Sequence, residues 1–399
     1  MNKAIIYLLP FFILVNSCKT DRDPTTYLQN VLTDIEKIET ATYQAYNEEW
    51  QPGDTTASVS FCHYVKEFNN PVDTTIGAAF VSFDCIDSTK MEFGYDGNIR
   101  ALIYHDKQGV VIDDFTTRKL PFRPLAPPFF NYAKNIIQYL LTTKDSIDWS
   151  LSDVDDHYYL KLTINEDKQV EFFGKAYYID NPYNFDETTS IYELWIAKSD
   201  NQPYKVRREM SHNIYACTCS DIEINKLSID DLNLFACLPE GYEIRNYGDS
   251  NKDRKESTLV GEKAPGWILA DKDGNNISLS DLKGKVLLIQ FTGIGCGPCL
   301  ASIPFIKQLK NKYDPNDFEV IAIETWVRKP HSLQVYSNKN DLNYSLLSAT
   351  DKVVNDYQTG RAAPVFFIVD KQQKIKRVLN GYGEGTTDKE IIKTLNELL

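Results

Sequence analysis

Gly293-Ile294-Gly295-Cys296-Gly297-Pro298-Cys299 is the stretch that decides how this chain of 399 residues is read. It follows an apolar β-type run, Val286-Leu287-Leu288-Ile289-Gln290-Phe291, and precedes a helical pattern. That order places Cys296 at a helix N-terminus, where backbone N–H groups and the helix dipole favour a thiolate over a thiol. Cys299 follows at a spacing that lets it close an intramolecular disulfide. A thiolate beside a resolving thiol is what thiol–disulfide exchange requires.

Outward from this stretch, the texture on its C-terminal side is uniform. Val286 to Phe291, Phe318 to Glu324 and Val365 to Asp370 are near-continuous apolar strands separated by helical patterns. Strands of that kind, alternating with helices, predict a sheet buried on both faces, an α/β domain over residues 258–399. Upstream, residues 250–257 (SNKDRKES) are charged and free of apolar side chains, which suits a linker.

Residues 27–249 read differently. Tyr27 to Thr40 has helical spacing at Leu28, Val31, Leu32, Ile35 and Ile38. Short alternating segments follow, among them Gly77 to Asp84, Lys90 to Tyr95, Leu102 to Tyr104 and Val110 to Phe115, with Asp96-Gly97 and Gln108-Gly109 as turns. A short helix is expected over 129–141. Further strands are expected at Tyr158 to Ile164, Lys175 to Ile179, Ile191 to Ala197 and Tyr204 to Met210. The expected fold is an α+β domain, mostly antiparallel sheet with a few helices. It shows no catalytic constellation. His63, His105, His157 and His212 lack metal-site spacing, Asp113-Asp114 and Asp155-Asp156 read as solvated turn acids, and Leu120 to Phe130 reads as a buried domain contact.

The N-terminus predicts export. Lys3 is followed by an apolar run from Ala4 to Val15, interrupted only by Pro10 and too short to span a bilayer comfortably. It ends in Val15-Asn16-Ser17-Cys18, which resembles a bacterial lipoprotein processing site. Residues 1–18 are thus expected to be a lipoprotein signal, Cys18 the lipidated residue and residues 19–26 a tether. Acyl chains on Cys18 would hold the protein on a membrane without a spanning helix. Cys62, Cys85, Cys217, Cys219 and Cys237 remain, and in an oxidising compartment some of them pair. Their odd number leaves at least one unpaired. A formal net charge of -13 excludes the basic stripe that nucleic-acid binding needs, so no nucleic-acid partner is expected.

Residues 258–399 resemble the TlpA-like family of extracytoplasmic thiol–disulfide oxidoreductases, which have the thioredoxin fold. The resemblance rests on Val260-Gly261-Glu262-Lys263-Ala264-Pro265, on Asp273-Gly274, on Ser278 to Lys285, on the paired cysteines, on Pro304 in the following helix, on Ala363-Pro364 before a strand, and on Gly381 to Gly385. It implies Cys296 as the exposed nucleophile and first helical residue, with Cys299 resolving. It also implies Pro364 as a cis-proline and Ala363 as a backbone partner for an extended substrate. No cofactor beyond the redox disulfide is implied, and no metal: a zinc ribbon needs a second pair, and Cys217-Thr218-Cys219 has the wrong spacing.

The sequence departs from the family pattern. Gly295 stands where Trp usually precedes the first cysteine. Gln290 replaces a buried acid, and Ser302 stands where a glutamate can follow the second cysteine. Gln290 cannot relay a proton. Glu324 could substitute for it, but reads more simply as a solvated acid at a strand end.

The Gly-Pro dipeptide resembles that of reducing members, so the expected role is a lipid-anchored, periplasm-facing reductase of exported disulfide-bearing proteins, supplied with electrons by a membrane donor. The alternative is a binding protein for an apolar ligand or exported partner, with an accessory redox domain. A peroxidase fits less well, because Thr292 lies four residues before Cys296. The N-terminal part is similar to the LolA-like lipoprotein-carrier half-barrel in its helix-then-strands order and in Glu193 to Ala197, Gln202 to Val206 and Leu238 to Tyr242.

Overall fold

The computed structural model describes residues 23–52, 54–116, 119–120, 125–180, 188–228, 231–249, 257–326, 328 and 330–399. The expected signal, Cys18, the first part of the tether and nearly all of the expected linker lie outside these residues.

The first helix, α1 (Pro24–Glu36), begins where Asp23 accepts from the Thr26 N–H at 3.0 Å and Pro24 supplies a helical φ at the first position. Apolar spacing continues to Ile38, yet the chain leaves the helix at Lys37. Thr40 instead opens β1 (Thr40–Trp50), which leads into β2 (Val59–Asn69), β3 (Ala78–Asp84), β4 (Met91–Tyr95), β5 (Arg100–Tyr104) and β6 (Gly109–Asp113). Helix α2 (Phe129–Thr142) follows. Then come β7 (Ile147–Val154), β8 (His157–Ile164), β9 (Gln169–Phe172), β10 (Ala176–Ile179), β11 (Ser190–Ala197), β12 (Pro203–Met210), β13 (Asn213–Ile224) and β14 (Glu243–Asn246).

Twelve of these strands form one sheet, in the order β14-β6-β5-β4-β3-β2-β1-β13-β12-β11-β8-β7. Every pairing in it is antiparallel except β14 with β6. Helices α1 and α2 lie together in its main core. There Leu28, Val31 and Ile35 meet Ile136, Leu160, Leu194 and Val206. The start of α2 is fixed from the sheet. Glu67, buried on β2, accepts from the backbone N–H groups of Phe130 and Asn131 at 3.0 and 2.7 Å, and from the Tyr43 hydroxyl at 2.8 Å. A helix N-terminus needs such acceptors, and a carboxylate is the strongest available.

One expectation for this domain is corrected. Asp113 is not solvated: its carboxylate is buried 2.8 Å from the equally buried Arg100 guanidinium. Of the segment that leads into α2, Ala126, Pro127, Pro128 and Phe129 line a cavity of the β-rich domain whose wall also includes Gly295 of the C-terminal domain; residues 121–124 lie outside the described residues. Among the five remaining cysteines, Cys62 and Cys85 form a disulfide, while Cys217, Cys219 and Cys237 are free.

The C-terminal domain opens with the small hairpin β15 (Ile268–Ala270) and β16 (Asn276–Ser278). Its main elements are β17 (Val286–Thr292), α3 (Gly297–Lys312), β18 (Phe318–Glu324), α4 (Pro330–Lys339), β19 (Ser345–Ser348), α5 (Asp351–Asp356), β20 (Val365–Val369), β21 (Ile375–Asn380) and α6 (Thr387–Leu398). The five-stranded sheet runs β19-β18-β17-β20-β21, with β17, β18 and β19 parallel and β20 and β21 antiparallel to their neighbours. Strand β17 is buried along its whole length. Its side chains alternate between two cores. Leu287, Ile289 and Phe291 face one, and Val286 and Leu288 face the other with Leu300 and Ile303 of α3. Among the described residues, no helix is long and apolar enough to cross a membrane.

Candidate active site

The site sits where β17 ends and α3 begins. Gly295 has φ +87°, which lets the chain turn sharply between them. Cys296 then caps the helix rather than forming its first residue, which is Gly297. Its sulfur accepts from the Cys299 N–H at 3.3 Å, and Pro298 occupies the second helical position, where no N–H is needed. Cys296 and Cys299 are joined as a disulfide. Opposite them the Ala363–Pro364 peptide bond is cis, and the Ala363 carbonyl oxygen lies 3.6 Å from the Cys296 sulfur.

Cys296 is not the exposed cysteine that was expected. It is 7% accessible, and Cys299 is fully buried. The β-rich domain reaches this end of the sheet: a Cβ on Gly295 would lie 3.1 Å from the Gln51 side-chain nitrogen, although Gly295 itself is exposed. Asp54, three residues beyond Gln51, accepts from the Ser332 hydroxyl of α4 at 3.1 Å. Lys339 of α4 donates to the Ser211 carbonyl.

An indole is nevertheless present, supplied from elsewhere in the chain. Trp326, just past β18, lies against Gly293 so closely that a Cβ there would come within 2.6 Å of the ring. Its Nε1–H donates to the Arg361 carbonyl at 3.0 Å, and Arg361 in turn donates to the Thr325 carbonyl at 2.8 Å. Trp326 thus ties the segment before the cysteines to the segment before Pro364. Nothing in the sequence near Cys296 signals this. The only cue is a large aromatic placed directly after an apolar strand end.

Glu324 is also corrected. It is not solvated but fully buried, and burial holds its carboxyl above the ordinary range. Its oxygens accept from the N–H groups of Arg328 at 2.8 Å, Trp326 at 3.2 Å and Ile294 at 3.4 Å. It therefore positions the loop leading into Cys296. Gln290, on the α3-facing side of β17, donates to the Ser302 hydroxyl at 3.0 Å. That hydroxyl donates to the Cys299 carbonyl at 2.6 Å. The described residues hold no group of three or more His, Cys, Asp or Glu side chains able to bind a metal.

The redoxin family model matches residues 259–395. Thiol-disulfide oxidoreductase ResA of Bacillus cereus is 30% identical over 131 residues, covering 32% of this chain and 73% of that protein. The chain belongs to the thioredoxin-fold thiol–disulfide oxidoreductases of the ResA and TlpA type. ResA of Geobacillus thermodenitrificans is 29% identical over 140 residues, 35% of this chain and 77% of that protein. A solved thioredoxin domain of a thiol-disulfide oxidoreductase from Bacteroides vulgatus covers 35% of this chain and 99% of its own, at 22% identity and a TM-score of 0.31. Like other members of the family, this protein is a thiol–disulfide oxidoreductase.

Proposed function

We propose that the chain is a lipid-anchored, extracytoplasmic disulfide reductase of exported proteins, with Cys296 as nucleophile and Cys299 as resolving thiol. The observation that carries this reading is the Cys296–Cys299 pair at the N-terminus of α3, facing the cis Ala363–Pro364 bond. In the reduced protein the helix dipole lowers the cost of a thiolate on Cys296. That thiolate attacks one sulfur of a client disulfide and releases the other as a thiol. Cys299 then displaces the client from Cys296, leaving the enzyme disulfide and two client thiols. The Gly-Pro dipeptide supports the reducing direction, and a membrane donor would return the two electrons. Lipidation of Cys18 would place the enzyme on the periplasmic side of a membrane.

Insulin reduction by the wild type and by Cys296→Ser tests the chemistry. Exchange by the wild type and none by the variant is expected, and equal rates would end the reading. Equilibration of the Cys296–Cys299 couple with glutathione tests direction: a potential near that of thioredoxin, about −270 mV, supports a reductase, whereas one near −120 mV reverses it. Loss of membrane association in Cys18→Ala tests the anchor.

A second reading is favoured by the cavity of about 500 Å³ in the β-rich domain. In it the protein binds an apolar ligand and the redox domain is accessory. Native mass spectrometry that finds a co-purified lipid would support it.

A further inference from the structure

The cavity reaches the loop that carries the cysteines. The β-rich sheet lines about 500 Å³ of it, and Gly295, the residue before Cys296, forms part of its wall. That volume falls within the roughly 300–1,000 Å³ range of ligand sites. Phe61, Phe80, Phe93 and Phe172 supply aromatic lining. Phe61 stands at the accessible end, 36% exposed, while Phe172 is fully buried. Cys296, the next residue, is 7% accessible.

We propose that this cavity is the client-recognition site of the Cys296–Cys299 centre, and that it takes an apolar peptide segment flanking the client's disulfide. The inference rests on the reductase reading above and specifies its substrate class. The polar groups of the cavity select a peptide over a fatty acid. Arg208 lines it, 9% exposed, with its charge already met by the Glu171 carboxylate at 3.2 Å. Its Nη2 donates to Asn213. A guanidinium neutralised in this way holds no free charge for a fatty-acid carboxylate, which would also face Glu171, whereas a neutral apolar peptide segment meets no such repulsion.

The chemistry then proceeds with the client held at two points. Its backbone beside the reacting cysteine lies along Ala363, and its apolar side chains enter the aromatic cavity. The Cys296 thiolate forms a mixed disulfide and expels the client's first thiolate, which takes a proton from solvent. Cys299 attacks the Cys296 sulfur and expels the second, its proton passing to that departing thiolate. Two electrons pass from the enzyme dithiol to the client disulfide.

The test uses the full chain and two synthetic peptides with one intramolecular disulfide, identical except for Leu and Phe or Ser and Gly beside the cysteines. The wild type is expected to favour the apolar peptide in kcat/KM by at least about tenfold, the worth of one buried apolar side chain. In Ala45→Phe, which fills the cavity from β1, the ratio is expected to fall towards one. Phe61→Asn, at the accessible end, supplies the same reading if Ala45→Phe does not fold. A labelled apolar peptide with both cysteines replaced by Ala should bind the wild type and bind either variant about tenfold more weakly. Equal kcat/KM for the two peptides in the wild type overturns the inference and leaves the reductase reading intact. So does a co-purified fatty acid that the peptide fails to displace. Failure to reduce either peptide or insulin overturns the reductase reading, and this inference with it.

Discussion

Gln290 and Ser302 are hydrogen-bonded beneath Cys299, the Gln290 amide donating to the Ser302 hydroxyl at 3.0 Å. These are the two positions at which related enzymes can carry an acid near the resolving cysteine. Here both are neutral, fully buried or nearly so, and satisfied by each other and by the Cys299 carbonyl. Neither side chain can therefore take the proton of Cys299 as a carboxylate would.

Restoring an acid should make that visible. In Gln290→Glu, a buried carboxyl would keep its proton and hold the Ser302 contact at low pH. Its folded pKa would stand above the ordinary value of about 4.3, so the stability it contributes is complete below that value and is lost as pH rises through the raised one. Thermal unfolding from pH 4 to 8 should show the variant falling away from wild type with rising pH. The pH–rate profile of insulin reduction should also gain a limb that wild type lacks. Parallel unfolding curves and a single-limbed profile would refute this.

The native chain already carries two such groups. Burial raises the carboxyl of Glu67 in the β-rich domain and that of Glu324 in the redox domain above the ordinary 4.5. The same sign applies to each: stability is greatest below 4.5 and declines as pH rises through the folded values. Urea midpoints measured from pH 4 to 7 should fall with pH. Glu67→Gln and Glu324→Gln should each flatten that slope while costing about 1–3 kcal/mol at low pH, because an amide cannot accept at both ends. Slopes equal to the wild type in both variants would show that neither group titrates differently on folding.

The cysteine motif and Pro364 are legible in the sequence because their chemistry is local: a strand, a turn and a capped helix are written in consecutive residues. The near-continuous apolar strands are legible for the same reason. Glu324 was not, because the N–H groups that make its burial tolerable belong to Ile294, Trp326 and Arg328, and a strand-end acid without them would be solvated. The low accessibility of Cys296 is not legible locally, because the groups around it, among them the Ala363 carbonyl, come from distant segments. Asp113 reads as solvated because Arg100, its partner, sits across the β5–β6 pairing.

Trp326 and Gly293 give a prediction of their own. A methyl at 293 would sit 2.6 Å from the indole, well inside contact distance, so Gly293→Ala must displace the ring or the loop. Overpacking of this kind costs typically about 1–3 kcal/mol. Trp326→Ala alone should also destabilise, by removing the ring and its bond to the Arg361 carbonyl. The double variant should cost less than the sum of the two, since the clash disappears with the ring. Additivity in a urea-unfolding cycle would show that the two residues are not coupled.

The contact between the two domains can be loosened without touching the cysteines. Asp54 accepts from Ser332 across the two domains, and its carboxylate also accepts from the Gln51 N–H at 3.1 Å, holding the turn whose side chain lies beside Gly295. Asp54→Ala removes both contacts. Each is a part-buried hydrogen bond to a charged group, worth about 1.5–3 kcal/mol when well formed. Part of that energy holds the domains together, so the variant should populate an opened arrangement more often. Reduced Cys296 should then react with iodoacetamide several-fold faster than in the wild type, with Cys299→Ser in every background so that only one motif thiol is scored. Ser332→Ala removes the same interdomain bond and keeps the Gln51 turn, so it should accelerate alkylation less. Equal alkylation rates in all three proteins would mean that Cys296 is shielded by its own domain, by Trp326 and the Pro364 loop, and not by the β-rich one.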